Sequence, residues 1–150
     1  MASSFIVFDR TVGNIGNGNV KLGSDTCKAY LSNTTPDKEQ DQYKSDLAEI
    51  GAGNGYTAGG VTLTSVTWTQ QAGSPQGVWV FDSADFSWTA SGGSIGPAQY
   101  LVIYALGAGS PNEFLLGYAN YGSAFTITDG NQLLVTVANG YFEIAAAAGS

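Results

Sequence analysis

The chain contains no histidine, one cysteine (Cys27), one methionine (Met1), four prolines and only five basic residues among 150. Without histidine there is no Ser-His-Asp triad, no Cys-His dyad and no side chain that titrates near neutrality unshifted. No histidine and a single cysteine also exclude a zinc site of the usual nitrogen and sulfur ligands within one chain. A lone cysteine forms no internal disulfide, so nothing marks an oxidising compartment. Cys27, in the run TCKAYL, reads as a small core residue and not as a nucleophile. The longest apolar candidate, AQYLVIYALGA, falls short of the ~20 residues of a membrane span. MASSFIVFDR lacks a basic stretch ahead of a long apolar core, so no secretion signal is expected, and the reading is a soluble chain with no membrane partner.

Cations are absent from most of the chain. Arg10, Lys21, Lys28, Lys38 and Lys44 all lie in the first 44 positions, where Asp9, Asp25, Asp37, Glu39 and Asp41 balance them. From Ser45 to Ser150 the only charged residues are Asp46, Glu49, Asp82, Asp85, Glu113, Asp129 and Glu143, and these carry the whole net charge of -7. Phosphate backbones repel such a segment, so direct nucleic-acid binding is not expected.

What is present suits a packed, turn-rich fold: 43% hydrophobic residues, 12% aromatic residues and 21 glycines. A chain of this length buries roughly 68–70% of its unfolded surface in one core and needs no staple. Residues 1–20 read as a flexible N-terminal arm, because the short run Phe5 to Phe8 passes into the Gly/Asn stretch GNIGNGNV. Residues 21–144 read as one domain and 145–150 (AAAAGS) as a tail beyond its last strand. Thr26 to Ser32 alternates as a half-buried strand. The charged segment 36–49 carries the helical signal: Thr35 as cap, Pro36 at the first position, Asp37 and Glu39 in the first turn, then Tyr43 and Leu47 at helical spacing.

Everything after Gly51 has strand character. VTLTSVTWTQ changes register, and a β-bulge near Ser65 would align Val61, Leu63, Val66 and Trp68 on one face. GVWVFD, FSWT and the apolar AQYLVIYALG follow, the last as the central strand. EFLLGYANY, SAFTIT, NQLLVTV and YFEIA close the chain, with hairpin signals at Asp129-Gly130 and Asn139-Gly140. Eight or nine strands with turns every 8 to 12 residues predict an all-β antiparallel sandwich, jelly-roll or immunoglobulin-like, with one short helix near 36–49.

The chemistry-bearing patterns are sparse. GNIGNG and GAGNGYTAGG lack a P-loop lysine and a strand-to-helix context, so glycine there reads as structural and no cofactor is expected. Asp82 and Asp85 in FDSADF are weak candidates for a cation site and otherwise cap their own turn. Glu113, Asp129 and Glu143 are not paired by spacing, so no hydrolase carboxylate pair is visible and the chain reads as non-enzymatic. Trp68, Trp79 and Trp88 lie in alternating strands, where packing and a sugar-stacking platform are the competing readings.

Taken in order, GAGNGYTAGGVTLTSVTW, VFDSADFSWT, AQYLVIYALG and FLLGYANYGSAFTITDGNQLLVTV resemble a widespread group of small tailed-bacteriophage virion proteins. The matching residues are Gly53, Gly55, Tyr56, Gly59, Gly60, Leu63 and Trp68, then Phe81, Asp82, Asp85, Trp88 and Thr89, then Tyr100, Val102, Ile103, Tyr104, Gly117 and Tyr118. The chain departs from that pattern in its longer SPQGVWV segment and its ASGGSIGPA loop. The resemblance implies a structural protein of the virion, made in the host cytoplasm. With the acidic composition it leads to the expectation of a capsid decoration or cement protein on the outer surface of the head. Its expected partners are the major capsid protein and copies of itself, a trimer being favoured. The alternative expectation is an adhesin module of a tail or head fibre that binds host glycan. Candidate contact residues are Phe5, Val7 and Arg10 in the arm, whose removal is expected to leave the domain folded, and Lys38, Tyr43 and Lys44 in the charged segment.

Overall fold

The run Tyr100 to Ala105 is buried at every position, so its strand must be covered on both faces. A computed structural model, which describes residues 5–71 and 77–146, shows how. Among the described residues the elements are β1 (Phe5–Val7), α1 (Asp9–Gly16), β2 (Thr26–Ser32), a 3-10 turn (Lys44–Asp46), β3 (Val61–Thr62) and β4 (Thr67–Gln70). They continue with β5 (Val78–Asp82), β6 (Phe86–Thr89), β7 (Ile95–Leu106), β8 (Glu113–Ile127), β9 (Gln132–Val135) and β10 (Phe142–Ala145). The strands form a sheet of order β1-β8-β7-β2-β3, a second of order β10-β5-β4, and the pair β6-β9, all antiparallel. The architecture is all-β and sandwich-like, with β7 in the middle of the large sheet.

One long ribbon generates most of it. β7 turns into β8 through Gly107–Asn112, where the Gly107 N–H donates to the Asn112 carbonyl. From there the two arms stay paired almost to the end of the chain: Leu106 with Glu113, Tyr100 with Asn120, Ile95 with Ile127, Trp88 with Leu133 and Phe81 with Phe142. The ribbon bends twice, and hydrogen bonds tie its arms at each bend. At the first, Ala90 N–H donates to the Asn131 carbonyl and Gly92 N–H to the Asp129 carboxylate. At the second, Val137 N–H donates to Asp85 Oδ1 at 2.7 Å, and the Ser83 and Tyr141 hydroxyls meet at 2.7 Å. The Asp129-Gly130 and Asn139-Gly140 signals therefore mark bends and not hairpins, because the strands flanking each one pair with the opposite arm. EFLLGYANY and SAFTIT are a single strand, β8, for the same reason.

The register assigns the two faces of the large sheet. Leu31, Leu101, Ala119 and Phe5 share one face, and the Phe5 ring stands 5.4 Å from Tyr141 and 6.2 Å from Phe142 in the second layer. Phe81 completes that interlayer cluster. The opposite face carries Tyr30, Val102 and Tyr118, with Tyr30 edge-on to Tyr104 and Tyr100 edge-on to Tyr118. Residues 33–50 lie over this face, held by the phenols beneath them. Tyr30 donates to the Leu47 carbonyl at 2.9 Å, and Tyr100 donates to Thr35 Oγ1 at 3.4 Å. A tyrosine face suits an irregular covering segment, since the rings fill core volume while their hydroxyls can bond polar groups of the segment.

Four further expectations need correction. The helix expected near 36–49 is not formed: among the described residues this segment holds only the 3-10 turn, and the α-helix is at Asp9–Gly16. Aspartate explains the difference. Asp37 accepts the N–H groups of Glu39 and Gln40, Asp41 accepts that of Asp37, and Asp46 accepts those of Gln42 and Tyr43, so side chains take the amides a helix would use. Within residues 1–20, expected to be an arm ending in turns, β1 pairs with β8, and Phe8 between the two elements is completely buried. The Thr11 hydroxyl in α1 donates to the Leu115 and Leu116 carbonyls at 2.9 and 3.0 Å, a tertiary anchor that outweighs the weak helix propensity of glycine and asparagine. Nor is Ser65 a bulge in one strand. Its φ of 51° ends β3 and starts β4 in a different sheet, although Leu63 is buried and Val61, Val66 and Trp68 still pack against the core. The expected C-terminal tail contributes Ala145 to β10, and its residues 147–150 lie outside the described residues.

Candidate interaction surface

The outer face of α1 combines with the 37–42 turn. Phe8 and Thr11 anchor the inner side, which leaves Asp9, Arg10 and Val12 outward. Val12 is 61% exposed, the largest exposure among the big apolar side chains of the described residues. Arg10 Nη2 donates to Gln40 Oε1 at 3.4 Å, and Lys38 Nζ pairs with Asp9. Asp9 holds the Lys38 ammonium above the usual lysine range. The fold thus brings Arg10 and Lys38, 28 positions apart in sequence, onto the surface formed by α1 and the 37–42 turn, and the same helix exposes Val12. Between exposed partners an ion pair such as Lys38–Asp9 adds little stability, so it orients side chains more than it holds the fold.

Of the other expected contact residues, Phe5, Tyr43 and Lys44 point into the domain. Phe5 belongs to the interlayer aromatic cluster, and Val7 pairs with Gly117. Tyr43 bridges to Phe114, with ring centroids 5.3 Å apart. Lys44 Nζ bonds Glu49 Oε2 at 2.8 Å and lies 4.9 Å from the centre of the Tyr30 ring. Glu49 also accepts the Tyr56 hydroxyl at 2.8 Å and the Gly59 N–H at 2.7 Å. Tyr56 in turn accepts the Leu31 N–H, and Tyr104 donates to the Gly59 carbonyl at 2.7 Å. Every partner of Glu49 is internal, so this cluster is a clasp that fastens residues 44–60 to β2 and β7.

Asp82 and Asp85 do not converge. Asp82 accepts the Ser83 N–H, while Asp85 accepts Val137 N–H across the ribbon bend. Among the described residues no three cation-ligating side chains cluster. Asp82 instead faces an open groove of about 380 Å³ on the outer face of the β10-β5-β4 sheet, lined by Thr67, Thr69, Gln71, Val80, Asn139 and Glu143 as well. The tryptophans divide. Trp88 is buried against Tyr56 and Phe86, whereas Trp79 is 40% exposed with its ring centre 5.9 Å from that of the half-buried Trp68. Cys27 is buried, and burial first, then the nearby Asp25 carboxylate, pushes its thiol up to about 12. It is packing, not a nucleophile.

Sequence reasoning missed Val12 and Glu49. The signal for Val12 was present, because Phe8, Thr11 and Ile15 recur at helical spacing and place Val12 on the other side. Nothing comparable identifies Glu49, whose partners meet it only after the chain has folded. Comparison of the chain with family models, with curated proteins and with solved structures returned no match in any of the three.

Proposed function

We propose that this chain is a non-enzymatic structural protein of a tailed-phage virion, a decoration or cement protein that binds the major capsid protein and copies of itself on the outside of the head. The observation that carries the reading is the α1 surface, where one short helix exposes Val12 together with Asp9 and Arg10, whose partners are Lys38 and Gln40 of the 37–42 turn. Protein interfaces combine exposed apolar side chains with charged and polar groups at the rim. The cation-free segment from Ser45 to Ser150 favours solvent over packaged nucleic acid. The sequence resemblance supports the same role through residues that shape the fold: Gly60, Tyr56, Phe81, Asp85, Trp88 and Tyr104 all form turns, clasps or core. Stabilisation would follow from mass action, since whatever binds only the assembled shell raises the cost of opening it. Val12→Asp tests the surface. Co-sedimentation with undecorated heads should fall by about tenfold or more while the fold is kept, and unchanged binding would remove α1 from the interface.

A second reading rests on a separate observation. The Trp68–Trp79 pair presents an exposed aromatic surface, as a glycan-binding adhesin module needs. Titration with host-surface polysaccharide distinguishes the two: a change in tryptophan fluorescence that Trp79→Ala abolishes supports the adhesin, and a flat titration supports the cement protein.

A further inference from the structure

The sequence holds three Asn-Gly steps, Asn17-Gly18, Asn54-Gly55 and Asn139-Gly140, and the fold treats them differently. Spontaneous deamidation requires the following amide nitrogen to reach the asparagine Cγ, and glycine permits this best because no Cβ obstructs the approach. At Asn17 the Gly18 N–H is engaged with the Ile15 carbonyl at 3.1 Å, closing the end of α1. At Asn54 the side-chain Nδ2 donates to the Ser94 carbonyl at 2.9 Å, and the amide is wedged against Gly93. Asn139 differs from both. It is exposed at the second ribbon bend, and among the described residues neither its side chain nor the Gly140 N–H makes a hydrogen bond.

We infer that Asn139 is a site of spontaneous deamidation that converts the adjoining groove into a three-carboxylate surface. The Gly140 nitrogen attacks Cγ of Asn139 to form the N–Cγ bond of a succinimide. The Cγ–Nδ2 bond breaks, and Nδ2 leaves as ammonia carrying the proton lost from Gly140. Water then opens either succinimide carbonyl, giving aspartate or isoaspartate, with no oxidant or reductant involved. The product adds one negative charge beside Asp82 and Glu143, which line the same groove. The isoaspartate form also inserts a backbone methylene into the bend held by Val137 N–H and Asp85, so modification loosens the ribbon there.

Chymotryptic peptide mapping of the intact protein during incubation at mildly alkaline pH tests this inference. The peptide containing Asn139 should be first to gain the mass of an NH2-to-OH exchange. Those containing Asn17 and Asn54 should lag by about threefold to tenfold, the rate equivalent of one hydrogen bond that must first break. In guanidinium chloride the three rates should converge, and Asn139→Gln should abolish the earliest acidic species. Asn17 or Asn54 leading in the folded protein, no gain at Asn139, or the same ranking and spacing in denaturant would each overturn the inference.

Discussion

Gly60 shows how much one residue can fix. Its φ is 78°, and a Cβ there would run into the Ala29 backbone carbonyl, so the chain can enter β3 beside β2 only with no side chain at this position. Gly60→Ala should cost about 3 kcal/mol in denaturant unfolding, whereas Gly51→Ala, facing open space, should stay within about 0.5 kcal/mol. Equal midpoints for the two variants would refute the steric account. The glycine-rich loop was legible as structural from the lack of a lysine and a following helix. Which glycine is irreplaceable was not, because the obstruction comes from β2, some thirty residues away. Glu49 was illegible on the same grounds, since an isolated acidic residue in sequence carries no mark of the hydroxyl, amide and ammonium that surround it.

Among the elements, the strands were read best and the helix worst. β7 announced itself because an unbroken apolar run has to lie inside a covered sheet. The 36–49 segment looked helical because proline, acidic residues and apolar spacing mimic a helix start, yet the same aspartates capture the backbone amides in tight turns. α1 was missed because its glycines and asparagines mask the helical spacing of Phe8, Thr11 and Ile15, and its stability comes from Phe8 and from Thr11 bonding to β8, contacts that no local propensity encodes. The N-terminal segment should therefore behave as part of the domain. Deleting residues 2–20 removes a fully buried phenylalanine, worth about 3–5 kcal/mol by itself, and uncovers the edge of β8. Against a typical stability of about 5–15 kcal/mol, the truncated chain should melt far below the full chain or aggregate. A truncated protein with an unchanged melting temperature would restore the picture of a detachable arm.

Buried phenols set an alkaline limit to the stability of the whole molecule. Tyr30, Tyr56, Tyr104 and Tyr141 are buried, and burial is the leading cause that raises each phenol above its usual range. Glu49 adds to the effect at Tyr30, and Glu113 adds to it at Tyr104. Cys27 behaves alike, pushed up to about 12. In the unfolded chain these phenols ionise near pH ~10, so above that pH the native state binds more protons and stability falls as pH rises. Each group removes about 1.4 kcal/mol per pH unit, so the four phenols together remove about 5 kcal/mol by about pH 11. Phenolate absorbance should thus rise in step with loss of circular dichroism. A smooth titration of all eight tyrosines with the fold intact would contradict the burial of this face.

At the same scale, the proposed role makes this acidic sandwich a many-copy component of a phage head. Its most direct test is copy number in purified virions by quantitative mass spectrometry. Chymotrypsin is the protease of choice, because trypsin has no site after Lys44 and leaves Ser45 to Ser150 as one product. The account predicts an abundance comparable with that of the major capsid protein; a handful of copies per particle, or none, would contradict it.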